Sequence, residues 1–258
     1  MTEVNRKLEG ATCRPGGCGS FRSGRRIFLV LAGLAIVLLA GPRAGLAPAA
    51  DKPAAPAKQA KQTKQPAADK FAWKNLFDGK TLKGWKSPNF GGEGKVGVQD
   101  GAIVMEMGDS MTGVTWTGEM PKMNYEVTLE AKRLKGNDFF ATTTFPVGNA
   151  HCSLVVGGWG GGVVGLSSID HFDASENPTT KFATFKDNQW YKIRIRVTKA
   201  KIECWIDDDK QVDFETAEHK LSIRMECDLC RPFGVSTWCT SGALRNIRVR
   251  NLPPEDQT

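Results

Sequence analysis

Tyr125-Glu126-Val127-Thr128-Leu129-Glu130-Ala131-Lys132 alternates apolar and polar side chains without a break. Successive side chains of an extended strand point to opposite faces, so Tyr125, Val127, Leu129 and Ala131 share one face and Glu126, Thr128, Glu130 and Lys132 the other. Residues 190–198 repeat the pattern, with Tyr191, Ile193, Ile195 and Val197 opposite Lys192, Arg194, Arg196 and Thr198. One face of each strand is expected in a core and the other in water. No window sustains a 3.6-residue period for more than two turns, which predicts an all-β domain.

Residues 201–206 and 211–215 flank Asp207-Asp208-Asp209-Lys210, a hairpin whose acidic tip reads as a solvated turn. Further strands are expected at 102–107, 113–116, 139–145, 152–156, 162–166, 233–236 and 244–250, separated by Gly, Asn and Asp. Many short strands of this kind predict two packed antiparallel sheets. Residues 167–187, rich in Asp, Asn, Thr and Pro, read as a long excursion on one rim, and loops of that length are usually functional or mobile.

The two ends differ from this domain. Residues 1–26 are polar and basic, and residues 27–41 form an uninterrupted apolar run, the length of a signal core rather than of a spanning helix. Ala47-Pro48-Ala49-Ala50 offers a small-residue cleavage site. The expectation is an exported chain, with residues 1–50 a signal peptide or an uncleaved anchor, placing the domain in the periplasm, outside the cell, or on the membrane through this segment alone. Residues 51–70, built from Ala, Pro, Gln and Lys, cannot bury enough surface to offset ordering entropy and read as a disordered linker. The folded domain is expected over residues 71–252, with 253–258 a tail.

Of the chain's 35 Lys+Arg and 28 Asp+Glu, the first 70 residues hold 12 and 4, which leaves 23 and 24 for the domain. The basic balance is a tail effect, and a near-neutral domain lacks the electrostatic footprint of a nucleic-acid binder. Five cysteines fall in the domain: Cys152, Cys204, Cys227, Cys230 and Cys239. Cys227-x-x-Cys230 has no second ligand pair to complete a zinc site, so it reads as a local disulfide or as two buried thiols, and no metal or cofactor is expected.

The run Trp73-Lys74-Asn75-Leu76-Phe77-Asp78-Gly79-Lys80-Thr81-Leu82-Lys83-Gly84-Trp85 resembles the opening signature of the 3-keto-disaccharide hydrolase domain family. Residues 96–103, with Asp100-Gly101 at the turn, residues 190–197, and the closing strand Leu244-Arg245-Asn246-Ile247-Arg248-Val249 resemble its later strands. The resemblance implies a two-sheet antiparallel jelly-roll sandwich of the concanavalin A type, and cleavage of glycosidic bonds in 3-keto-sugars. Read as residues alone, the motifs are structural: Asp78-Gly79 makes a turn, and Leu76, Phe77, Leu82, Trp85 and Ile247 fill a core.

The middle of the chain departs from the family. Aligned with its polar site motifs are Gly136-Asn137-Asp138-Phe139, Gly165-Leu166-Ser167-Ser168-Ile169-Asp170 and Ser236-Thr237-Trp238. Asn137 and Asp170 match; the family's Glu falls on Gly165, its Gln on Ser167, and a Gln-x-His pair on Ser236 and Trp238. One carboxylate of the pair that glycosidases generally use is therefore missing. Asp170, with His171 beside it and Asn137, forms the candidate catalytic group; a capped polar loop is the structural alternative for the first two. Gly157-Gly158-Trp159-Gly160-Gly161-Gly162 leaves the Trp159 indole with little local cover, free to stack on a sugar ring or to fold into the core. Trp159, Trp238, Asp138 and Arg231 are the candidate sugar contacts, although Glu226, Asp228 and Arg231 also read as a structural ion-pair group. The expected ligand is an oligosaccharide or glycoside. The expected function is glycosidic cleavage, with a non-catalytic glycan-binding module as the alternative.

Overall fold

A computed structural model describes residues 69–257. The leader, its apolar run and all but the end of the linker lie outside the described residues. Among the described residues no helix is long and apolar enough to cross a membrane.

Two antiparallel sheets face each other. In spatial order the first contains β13 (Asp209–Glu215), β12 (Lys201–Ile206), β11 (Tyr191–Val197), β6 (Tyr125–Gly136), β15 (Thr240–Asn251), β4 (Ala102–Met105) and β3 (Val96–Gln99), with β1 (Lys74–Asn75) also paired to β15. The second contains β10 (Lys181–Phe182), β9 (Val163–Ser167), β8 (Ala150–Gly157), β7 (Thr142–Val147), β14 (Gly234–Trp238), β5 (Met111–Trp116) and β2 (Trp85–Lys86). The fold is the predicted all-β jelly-roll sandwich.

The alternation read in the sequence sets the core. Tyr125, Val127, Leu129 and Ala131 of β6 and Ile193, Ile195 and Val197 of β11 are all buried between the sheets, where Leu154, Val156, Val164 and Leu166 meet them from the other side. Burial of this many large aliphatic side chains, each contributing about 1.5–3 kcal/mol, is the main stabilising term. The opening motif closes one corner. Asp78 accepts hydrogen bonds from the Lys80 and Thr81 amides (2.8 and 2.7 Å) and the Thr81 hydroxyl, and the Trp85 indole donates to the Leu76 carbonyl at 2.8 Å. The residues expected as a tail fold back: Gln257 reaches the Leu252 carbonyl, and the Asn124 amide donates to Gln257.

Two expectations change. The outward face of β6 is not wet throughout, since Glu126 and Thr128 retain only 2% and 4% of their exposure. Long side chains from adjacent strands lie over it: Arg194 and Arg250 pair with Glu126, and Arg194 stacks on Trp205 at 3.5 Å. A buried carboxylate is tolerated here because two guanidinium groups replace its water. The stretch 167–187 is likewise no simple rim excursion. Its middle carries buried Ala174, Asn177 and Thr179, whose polar groups satisfy the exposed edge of β9: Thr179 accepts from the Leu166 amide (2.9 Å) and Asn177 donates to the Leu166 carbonyl (2.7 Å).

Candidate functional site

The outward face of the second sheet collects the positions aligned with the family's polar motifs. Gly165 and Ser167 on β9, Ser153 on β8, Thr142 and Thr144 on β7, and Ser236 on β14 share it by register. All five hydroxyl side chains are at most 1% exposed. Two segments of the same chain form a roof over them. Above Gly165 lie the carbonyls of Ala174 and Thr179, each 3.1 Å from where a β-carbon would stand, while Ala174 also packs with Val155 and Val163. Above β14 and β5 lies the 3-10 helix Met225–Cys230. A β-carbon on Gly234 would come within 2.9 Å of that of Cys230, and the Thr115 hydroxyl donates to the Leu229 carbonyl at 2.8 Å. Small residues at 165, 167, 234 and 236 are what let the roof sit down, since longer side chains would hold it off the sheet.

The roof is polar beneath. Cys227 and Cys230 are buried thiols directed toward the Ser236 hydroxyl, which has no hydrogen-bond partner of normal geometry among the described residues. Burial first, then the charge of Glu226, pushes Cys227 up to about 11, and burial pushes Cys230 up to about 12. Cys152 and Cys204 are buried thiols as well. Among the described residues no group of three or more His, Cys, Asp or Glu side chains is placed to hold a metal.

Where the roof meets the rim, a hollow of about 360 Å³ opens beside Ser168, His171, Asp173, Ser222, Arg224 and Glu226. The two halves of the roof are tied there by paired backbone hydrogen bonds between Ser168 and Ser222 (2.7 and 3.0 Å). Arg224 bridges Asp173 and Glu226, the latter at 2.8 Å, and its hydrogen bond draws the Glu226 carboxyl below its ordinary value. Ile223 and the exposed Met225 line the apolar side of the hollow.

The predicted site residues separate into two groups. Asp170 and His171 both take left-handed backbone (φ 51° and 74°), so they form a turn rather than an extended pair. His171 lines the hollow; Asp170 does not. Its carboxylate instead accepts from the Lys220 amide at 2.8 Å and meets His219 Nδ1 at 2.6 Å, contacts that lower its pKa, the backbone hydrogen bond most. Asn137, Asp138, Trp159 and Trp238 gather at the opposite end of the sheet, separated from Asp170 by the length of β9, roughly 16 Å at the strand rise per residue. Asn137 is thus not brought to Asp170. Asp138 caps the glycine-rich turn, accepting from the amides of Gly160 (3.0 Å) and Phe139 (2.7 Å). Trp159 projects from that turn with φ 50° and 45% exposure, whereas Trp238 is half-buried against the Phe139 ring at 6.3 Å. Arg231 pairs with Asp228 at 2.6 Å on the surface, and Glu226 turns to Arg224 instead of joining them. Sequence reasoning did not bring Arg224, Glu226 and Asp173 together, because 51 residues separate the two roof segments that Arg224 joins to Asp173.

Solved structures similar in fold include a Crh5 transglycosylase in complex with NAG (12% identity, 72% of this chain and 86% of that one, TM-score 0.51). Also similar are SCLam, a non-specific endo-β-1,3(4)-glucanase of family GH16 (10%, 69% and 90%, TM-score 0.47), and the carbohydrate-binding module CBM66 of Bacillus subtilis (10%, 65% and 96%, TM-score 0.43). At such identities the likeness speaks to the sandwich alone. No curated protein matches the sequence. The profile of the 3-keto-α-glucoside-1,2-lyase-like domain family matches residues 72–250, nearly the whole described domain, and the chain belongs to that family.

Proposed function

We propose that this domain is a carbohydrate-recognition member of its family, taking a glycan at the rim hollow rather than on the sheet face. One observation carries the reading: the face that holds the family-aligned polar positions is buried under the chain's own segments, at 0–1% exposure for Ser153, Ser167 and Ser236. The carboxylates that do reach an open hollow, Asp173 and Glu226, are both clamped by Arg224. Glu226, held ionised by its hydrogen bond from Arg224, accepts hydrogen bonds from sugar hydroxyls well and donates a proton poorly. Ser168 and Ser222 add hydroxyls, and Ile223 with the exposed Met225 an apolar face, the mixture that sugar rings require.

A second reading is favoured by the position of His171, which opens on the same hollow. In a 3-keto-glycoside the ketone acidifies the C2 hydrogen. A base takes that proton, the enolate expels the C1 oxygen, and the departing oxygen receives a proton, giving an unsaturated keto-sugar and a free alcohol. One titratable imidazole suffices for such an elimination. The test incubates the protein with 3-keto and ordinary disaccharides, following binding by calorimetry and released sugar by chromatography. Saturable binding without release is expected, and weakened by Arg224→Met. Release that disappears in His171→Ala would establish the second reading, and no binding of any sugar would overturn both.

A further inference from the structure

The other sheet carries a second cavity, of about 340 Å³, on its outward face. Its floor is the row Arg194, Thr128 and Arg248, which neighbour one another across β11, β6 and β15. Thr128 is 4% exposed, and its hydroxyl has no hydrogen-bond partner among the described residues; the buried Nε of Arg248 has none either. The flanking arginines of the same strand are satisfied, Arg245 by Glu130 and Arg250 by Glu126, whereas among the described residues no carboxylate pairs with Arg248. Two indoles bound the space. Trp205 lies against the Arg194 guanidinium at 3.5 Å, and Trp73 lies 5.4 Å from that of Arg248. At the mouth stand the exposed Asp207 and Asp208, and Lys192 and Glu126 also line the cavity, the Glu126 charge being held by Arg194 and Arg250.

With Arg194 committed to Glu126, the buried Thr128 hydroxyl and the Arg248 guanidinium, whose Nε is unused, are complementary to a planar or tetrahedral oxyanion. The rim carboxylates repel a polyanion such as a nucleotide phosphate chain, yet accept hydrogen bonds from neutral hydroxyls. Indole walls suit the CH face of a pyranose. We infer that this cavity binds a saccharide unit bearing one acidic group, a uronate carboxylate or a sulfate ester, with the oxyanion on Thr128 and Arg248 and ring hydroxyls on Asp207 and Asp208. The site lies on the opposite sheet from the rim hollow and stands independently of the function proposed there.

The test is calorimetric titration of the full chain with an oligosaccharide carrying a single uronate, one carrying a single sulfate ester, the neutral oligosaccharide of equal length, and inorganic sulfate. At least one acidic oligosaccharide is expected to bind about tenfold or more tighter than the neutral one, and the tighter of the two identifies the group recognised. Arg248→Met should weaken that binding about tenfold and the near-isosteric Thr128→Val several-fold, each melting within a few degrees of the parent. Lys80→Met, on an exposed turn, should leave it unchanged. Should Arg248→Met not fold, the Thr128→Val affinity decides. Undiminished binding in the variants that fold, equal binding of the neutral oligosaccharide, or binding of sulfate with no gain from the sugar, an adventitious ion only, would each overturn the assignment.

Discussion

The carbonyl oxygen of Ala174 rests directly above Gly165, 3.1 Å from the place a β-carbon would occupy. That contact closes the sheet face on which the family-aligned polar positions lie, and it makes the roof testable. Gly165→Glu supplies the side chain that the family alignment places at this position. Because the roof cannot lift without losing the Thr179 and Asn177 hydrogen bonds to Leu166, the substitution is expected to destabilise the fold by about 1–3 kcal/mol or more. Thermal unfolding reads this, and a Gly165→Glu protein that melts with the parent would show that the roof moves aside freely.

The thiols under the roof and in the core between the sheets are expected to be inert in the folded chain. Burial pushes Cys152 up to about 12, against an ordinary thiol near 9, which at pH 8 lowers the reactive thiolate on the order of a thousandfold. Labelling kinetics followed by peptide mass spectrometry should show Cys152 and Cys230 reacting at that reduced rate or slower until denaturant is added. Rapid native labelling of either would contradict the packing described.

Asp170 is expected to act as a positioning residue that ties the turn at 170–171 to Lys220 and His219. Its folded pKa lies below the ordinary carboxylate value, so the stabilisation is complete above about pH 4 and is lost as pH falls through the lowered folded value. The melting-temperature gap between the parent and Asp170→Asn should therefore be present at pH 7 and close in strong acid. A gap that persists at pH 2 would assign the difference to packing. Sugar binding at the hollow should change less than twofold, since the Asp170 carboxylate does not line it.

Trp159 is held in left-handed backbone by glycines on both sides and leaves 45% of its surface in solvent. Trp159→Ala should shift the melting temperature by no more than a few degrees, where a core tryptophan would cost about 3–5 kcal/mol. Lying about a strand length from the hollow, Trp159 should matter only to ligands long enough to reach it. The expected loss is about 1 kcal/mol, some fivefold, for long oligosaccharides and none for a monosaccharide. An equal loss for both would place the indole within the hollow.

What the sequence by itself determined is the sandwich and its inner faces. The period-two runs of β6 and β11 select which side chains enter the core, and Asp78, Gly79 and Trp85 specify the corner where the chain enters, because both depend on neighbours a few residues away. What only the tertiary structure decided is the fate of the outer faces. Glu126 reads as solvated until Arg194 and Arg250, 68 and 124 residues distant, cover it. Gly165, Ser167 and Ser236 read as a degraded site until the segments around Ala174 and Cys227 are seen to lie on them. Asp170 and His171 read as partners, yet the left-handed turn gives Asp170 to His219, 49 residues on, and leaves His171 to the hollow. Strand periodicity is a local property of the chain, whereas loop placement follows from contacts between segments that no spacing rule connects.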